Sequence, residues 1–213
     1  MTSSDFDNTQ TSRQRLLEAG KSLFSKHGFE QTSTAAIARE AGTSESQLVR
    51  YFRSKVGLLE AIFNDNWREL NQVIQSVVMA AKDAREALAG VLECVTEAFG
   101  KDPALAYLLL FEGRRIRGAT SEIILSQGFV EFDNLLHVLI HRGNRDGTFR
   151  SDLNENALAS ALLGATEAMV RDRLLAQRAG RPMPFDVREI RAIFFALLQG
   201  LQHEAGASQP ASS

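Results

Sequence analysis

Apolar residues recur along this chain at spacings of three and four, which is the period of amphipathic helices. Leu16, Gly20, Leu23, Phe24 and His27 mark a first helix that begins at Ser12 and stops at Gly28. Two short helices follow, roughly 33 to 40 and 45 to 52, parted by the turn Ala41-Gly42-Thr43. Ser54 opens a long helix whose stripe is Leu58, Leu59, Ile62, Phe63, Leu70, Val73, Ile74, Val77 and Val78. Asp83-x-x-Glu86 has the form of a variant capping box, and the stripe behind it is Leu88, Val91, Leu92, Val95 and Phe99. After Gly100 and Pro103 comes a segment apolar nearly all round, Leu105 to Phe111, which is expected to be buried. Further helices are predicted over about 121 to 142, stopped by Gly143 and the turn Arg145-Asp146-Gly147. Two more cover about 155 to 179 and 186 to 203, with Gly-Arg-Pro-Met-Pro between them. No strand pattern or internal repeat stands out. The pattern predicts an all-α protein of about nine helices, with polar, disordered tails at 1–11 and 205–213.

Composition narrows the function classes. A chain of 213 residues buries a core without covalent staples, and its single cysteine excludes an intrachain disulfide, which fits a reducing, cytoplasmic setting. No apolar run of 18 residues is present to span a membrane, and the first ten residues lack the marks of a signal peptide. Charge is uneven. Residues 12–56 hold eight Lys/Arg against four Asp/Glu, so this end carries +4 while the rest totals −6. A basic end on an acidic body points to a polyanionic partner at that end.

The two short helices are built to read a groove. Ser33 is a natural N-cap, Ala35, Ala36, Ala38 and Ala41 permit close crossing, and Ile37 is the core anchor. Gly42 supplies the turn, and Ser44-x-x-Gln47 is a capping box for the second helix. Leu48 and Phe52 are four apart and face inward, which leaves Glu45, Ser46, Gln47 and Arg50 outward or at the edge. Gln pairs with adenine edges and Arg with guanine edges in the major groove. Tyr51 and Lys55 are expected on phosphates, together with Thr32 and Ser33 at the start of the first short helix.

In register, Gly28-Phe29, Thr32-Ser33, Ile37-Ala38, Ala41-Gly42, Ser44, Leu48, Phe52 and Ser54-Lys55 resemble the TetR family of bacterial transcriptional regulators. The resemblance covers roughly residues 12 to 62. The chain departs at Thr34 and Thr43, where the family has Val, at Val49, where it has Tyr, and at Tyr51, where it has His. Val49 cannot donate the hydrogen bond that the family's Tyr gives a phosphate, so that role passes to Tyr51 and Lys55.

The resemblance implies a helix-turn-helix DNA-binding domain over 12–56 and a ligand-binding and dimerisation domain over 57–204. It implies a homodimer on a palindromic double-stranded operator, acting as a repressor that a small molecule releases. Two late helices would form the dimer bundle, with candidates Ala161, Gly164, Ala165 and Ala168 on one and Phe194, Leu197, Leu198 and Leu201 on the other. Pocket candidates are Phe63, Trp67, Cys94, Phe99, Tyr107, Phe111, Phe129, Phe132 and Met169, for an apolar or aromatic ligand.

Other groups are weaker pointers. Arg114, Arg115 and Arg117 are read as charge at a helix end, with an anionic-ligand clamp or an interdomain contact as the alternative. His137 and His141 have metal-compatible spacing but no third ligand, and Cys94 is read as an inert thiol. No metal and no cofactor are expected. No catalytic constellation is found, so the chain is not read as an enzyme. Two alternatives stay open: a helical protein-interaction module with a degenerate helix-turn-helix, and an all-α enzyme.

Overall fold

The computed structural model describes the backbone of residues 3–112, 116–117, 122–123 and 126–201, and side chains over 12–111 and 126–201. Arg114, Arg115, the Arg117 side chain and the tail 205–213 lie outside the described residues. Nine α-helices are described: α1 Ser3–His27, α2 Thr34–Glu40, α3 Glu45–Phe52, α4 Lys55–Ala80, α5 Ala84–Lys101, α6 Pro103–Tyr107, α7 Gln127–Arg145, α8 Glu155–Arg178 and α9 Val187–Gly200. The all-α expectation holds. A π-helical turn, Leu108–Glu112, continues α6, and a two-residue antiparallel pairing joins Ile116–Arg117 to Glu122–Ile123.

Helix starts follow the capping residues. Ser33, Ser44 and Ser54 each accept a backbone N–H three residues on, from Ala36, Gln47 and Gly57. Asp83 caps α5 by accepting from Glu86 N at 2.7 Å, but the Glu86 carboxylate accepts from Lys82 N instead of closing the reciprocal bond. A full capping box forms at α9, between Asp186 and Glu189.

Three boundaries differ from expectation. Helix α1 begins at Ser3 rather than Ser12, since no glycine or proline before Ala19 interrupts propagation. Helix α7 begins at Gln127 rather than near 121, because Ser126 is the N-cap, accepting from Phe129 N at 3.3 Å. It also runs through Gly143, which is buried against Phe149 and is there for packing; the helix stops at Asp146.

One contiguous core runs through the chain. Leu16, Phe24, Phe29, Ile37, Leu48, Phe52 and Leu58 bring α1 to α4 together at the N-terminal end. Helix α4 carries Ile62, Trp67 and Ile74 onward to meet Leu88, Val91 and Val95 of α5 and Phe132, Leu136 and Leu139 of α7. Helix α9 packs its Ile190, Phe194 and Leu198 inward, and α8 buries Ala159, Leu162, Val170 and Leu174. The N-terminal helices are therefore joined to the rest through α4, and also through α1, whose Lys21 meets Asp102 at 2.5 Å.

Candidate nucleic-acid interface

Helix α3 is held from three sides. Leu48 and Phe52 bury its inner face. Thr34 of α2 donates to Glu45 Oε2 at 2.6 Å, so the acidic side chain that opens α3 is tied back to α2 and sits beside the positive end of its own helix. Thr43 donates its hydroxyl to Gln47 Oε1. That bond replaces the return half of the expected Ser44–Gln47 box; Ser44 still accepts from Gln47 N. The Gln47 carbonyl oxygen is thus engaged within the protein, and its amide nitrogen is the group left to address a base edge.

The outward face of α3 presents Glu45, Ser46, Val49 and Arg50. Arg50 donates to the Tyr51 hydroxyl at 3.0 Å, and its guanidinium lies 5.0 Å from the Tyr51 ring centroid, so the two act as one preorganised pair. Val49 is 52% exposed in the middle of this face. A valine here cannot donate to a phosphate; its position makes it an apolar knob of the size that meets a thymine methyl. Arg39 at the end of α2 and Arg53 after α3 are also exposed, two cations the sequence reading did not assign. Position relative to the buried pair Leu48 and Phe52 was the signal for Arg53.

Two expected phosphate groups are used otherwise. Thr32 is 3% exposed, and its hydroxyl donates to the Gly28 carbonyl at 2.8 Å, closing the end of α1 rather than facing solvent. Lys55 directs its ammonium at the loop before α2, donating to Phe29 O at 2.9 Å and Thr32 O at 3.0 Å, with the Phe29 ring centroid at 4.4 Å. Carbonyls of that loop engage this half-buried charge. Ser33 and Ser44 remain exposed as caps.

The aromatic candidates separate into two groups. Trp67 meets Phe132 at 5.0 Å and Phe129 at 5.6 Å between α4 and α7, with Phe63 buried one turn earlier on α4. Tyr107 and Phe111 pair at 5.0 Å on the α6 side. Phe99 borders a small recess of about 100 Å³ between α5, α6 and α8, while Met169 is half-buried on α8. All of them belong to the one core cluster or pack against it. Burial, then Glu97 and Glu93, push the Cys94 thiol up from its usual range. His141 bonds Glu155 at 3.1 Å and His137 lies 3.7 Å from Asp133, each in its own pair.

The dimer candidates also divide. Ala161 and Gly164 are exposed on α8, and a Cβ built on Gly164 would meet open space. Phe194 and Leu198 are buried within the chain, on the inward stripe of α9 that they share with Ile190. Ile193, Phe195 and Leu197 are about half exposed on the outer face instead, and Leu201 is intermediate.

An all-α chain with a capped helix-turn-helix at its basic end is the architecture of a helical DNA-binding regulator. Residues 16–62 match the sequence model described as bacterial regulatory proteins, tetR family, so the N-terminal unit is similar to the one that defines that family. Among similar proteins, the nucleoid occlusion factor SlmA of Vibrio cholerae is 27% identical over 162 residues, 73% of this chain and 80% of that one. The transcriptional repressor KstR2 of Rhodococcus jostii is 26% identical over 142 residues, 67% of this chain and 70% of that one. A solved structure of FadR from Bacillus subtilis in complex with stearoyl-CoA shares the fold at a TM-score of 0.78 and 18% identity, covering 89% of this chain and 99% of that one. No described helix is long and apolar enough to cross a membrane.

Proposed function

We propose that the protein is a DNA-binding transcriptional repressor that works as a homodimer on a palindromic operator and is released by a small molecule. The observation that carries this reading is the outward face of α3, where Ser46, Gln47, Val49 and Arg50 stand around a helix capped at a defined residue and fixed to α2. Ser46 and the Arg50–Tyr51 pair address bases and the adjoining backbone, Val49 addresses a thymine methyl, and Ser33, Arg39 and Arg53 address phosphates. The domain split follows: residues 12–56 bind DNA, and 57–204 hold the ligand and the partner protomer.

A single eight-residue reading helix specifies few bases, so two-fold pairing is needed for a useful operator. The exposed Ile193, Phe195 and Leu197 of α9 support an apolar self-complementary face. The repressor name of the KstR2 relative supports the sign of regulation. The stearoyl-CoA complex of the FadR structure supports a small-molecule ligand for a chain of this fold. The SlmA relatives show the range open to such chains, since they are named for nucleoid occlusion rather than for a ligand. Among the described residues no constellation favours catalysis, and the preorganised reading face argues against a degenerate module.

The direct test is a mobility shift with DNA from upstream of the protein's own coding region, read across salt. A specific complex whose affinity falls steeply with salt is expected. No complex with any DNA at low salt would favour the protein-interaction reading.

A further inference from the structure

Trp67 and Asn71 stand one turn apart on α4, so their side chains rise on the same face. Both are buried, at 4% and 7% exposure. The Asn71 amide nitrogen donates to the Gly128 carbonyl at 2.9 Å, which fixes the amide's orientation and turns Oδ1 the other way. Among the described residues that oxygen has no hydrogen-bond partner, and neither has the Trp67 indole nitrogen. Asn64, three residues before Trp67 on the same stripe, adds a third buried oxygen without a partner. Buried polar atoms in native proteins are almost always paired, so three on one stripe of one helix mark a place where a polar group from elsewhere belongs. The surroundings are apolar: Phe129 and Phe132 of α7 flank the indole, and Phe63 is buried on the same helix.

We infer that this stripe is the polar end of the ligand site, and that the ligand is an apolar small molecule bearing one uncharged protic group, a hydroxyl or a carboxamide. The inference rests on the ligand-responsive reading above and gives it a chemistry. The indole N–H needs an acceptor, and the Asn71 oxygen needs a donor. A hydroxyl or carboxamide supplies both at once. A carboxylate or an ester supplies only acceptors, and a carboxylate would also set its charge against the two asparagine oxygens.

Trp67 is the single tryptophan, so its indole N–H gives one unambiguous signal in a nitrogen-15 correlation spectrum of the full chain. The probes are 1-decanol, decanamide, methyl decanoate and decanoate. Decanol and decanamide are expected to shift the indole proton downfield saturably, with affinities about tenfold above those of the ester and the carboxylate. Asn71→Leu should erase the preference for decanol over the ester while the spectrum stays dispersed. An indole signal that no probe moves, or that all four move equally, would overturn the inference. If decanol moves the signal as expected but DNA stays bound, the site stands and ligand-controlled release fails. If another compound releases DNA while no probe moves the indole, release stands and this site fails.

Discussion

Arg178 donates to the Ser25 carbonyl at 2.6 Å, which ties the last turn of α8 to the last turn of α1 across 153 residues. The same guanidinium lies 3.6 Å from the Tyr107 ring centroid. A cation at a helix C-terminus meets carbonyls with no partner in their own helix. Helices α1, α6 and α8 thus share one contact, placed between the groove-reading unit and the helices proposed to hold ligand. The side chain is partly in solvent, so Arg178→Ala is expected to cost about 1 kcal/mol and lower the melting temperature by roughly 2–4 °C. It should also weaken the effect of any releasing ligand on DNA affinity while leaving unliganded affinity within about twofold. Full ligand response in the alanine variant would remove Arg178 from the coupling route.

Lys55 offers a sharper contrast, because its ammonium faces carbonyls of the α1–α2 loop. Lys55→Met is expected to destabilise the N-terminal helices by about 2 kcal/mol and leave the salt slope of DNA binding unchanged in the protein that stays folded. A residue on a phosphate would lower that slope by about one. Thermal melts combined with binding isotherms at four salt concentrations separate the two roles.

The junction of α3 and α4 fixes the angle of the reading helix. A Cβ on Gly57 would lie 2.0 Å from the Phe52 carbonyl oxygen, so Gly57→Ala must push α4 away from the end of α3. The expected cost is about 2 kcal/mol, with DNA affinity lost beyond what the folded fraction explains. Wild-type affinity with a wild-type melt would show that the angle is not fixed here.

Arg53, in the same junction, has φ +66°, with Ser54 N bonded to Phe52 O at 2.8 Å. That backbone is costly for any side chain, so Arg53→Gly is expected to raise stability by about 1 kcal/mol. If the exposed arginine touches a phosphate, the same variant weakens all DNA binding alike and lowers the salt slope by about one. A melt unchanged or lowered would show that the strain is not relieved by glycine.

The outer face of α9 separates association from folding. Leu197→Arg acts on an exposed side chain and should yield a folded monomer by light scattering, with specific DNA binding lost. Leu198→Arg acts on a fully buried neighbour and should unfold the C-terminal helices instead, read by circular dichroism. A Leu197→Arg protein that stays dimeric would move the interface elsewhere.

Helix periodicity and capping residues made most of the fold legible in the sequence. Ser33, Ser44, Ser54, Asp83 and Asp186 all start helices where their side chains predict. Partner choice was not legible. Thr32 and Lys55 have the chemistry of phosphate ligands, and only the close approach of the α1–α2 loop shows that this loop uses both. Gly143 reads as a stop until Phe149 is seen against it. On α9, alternating inner and outer apolar residues share one heptad-like run, so spacing could not say that Phe194 faces α5 and Leu197 faces out. Burial of Trp67 was within reach of the pattern, but its lack of a hydrogen-bond partner among the described residues was not.

The most direct test of the account is a competition isotherm with the protein's operator and with random-sequence DNA, for wild type and Arg50→Ala. Arg50 is predicted to read a base, so the variant should lose about 1–3 kcal/mol on the operator, roughly 5- to 150-fold, and little on random DNA. Equal losses on both DNAs would reduce Arg50 to a phosphate contact, and no loss on either would contradict the claim that this face of α3 reads DNA.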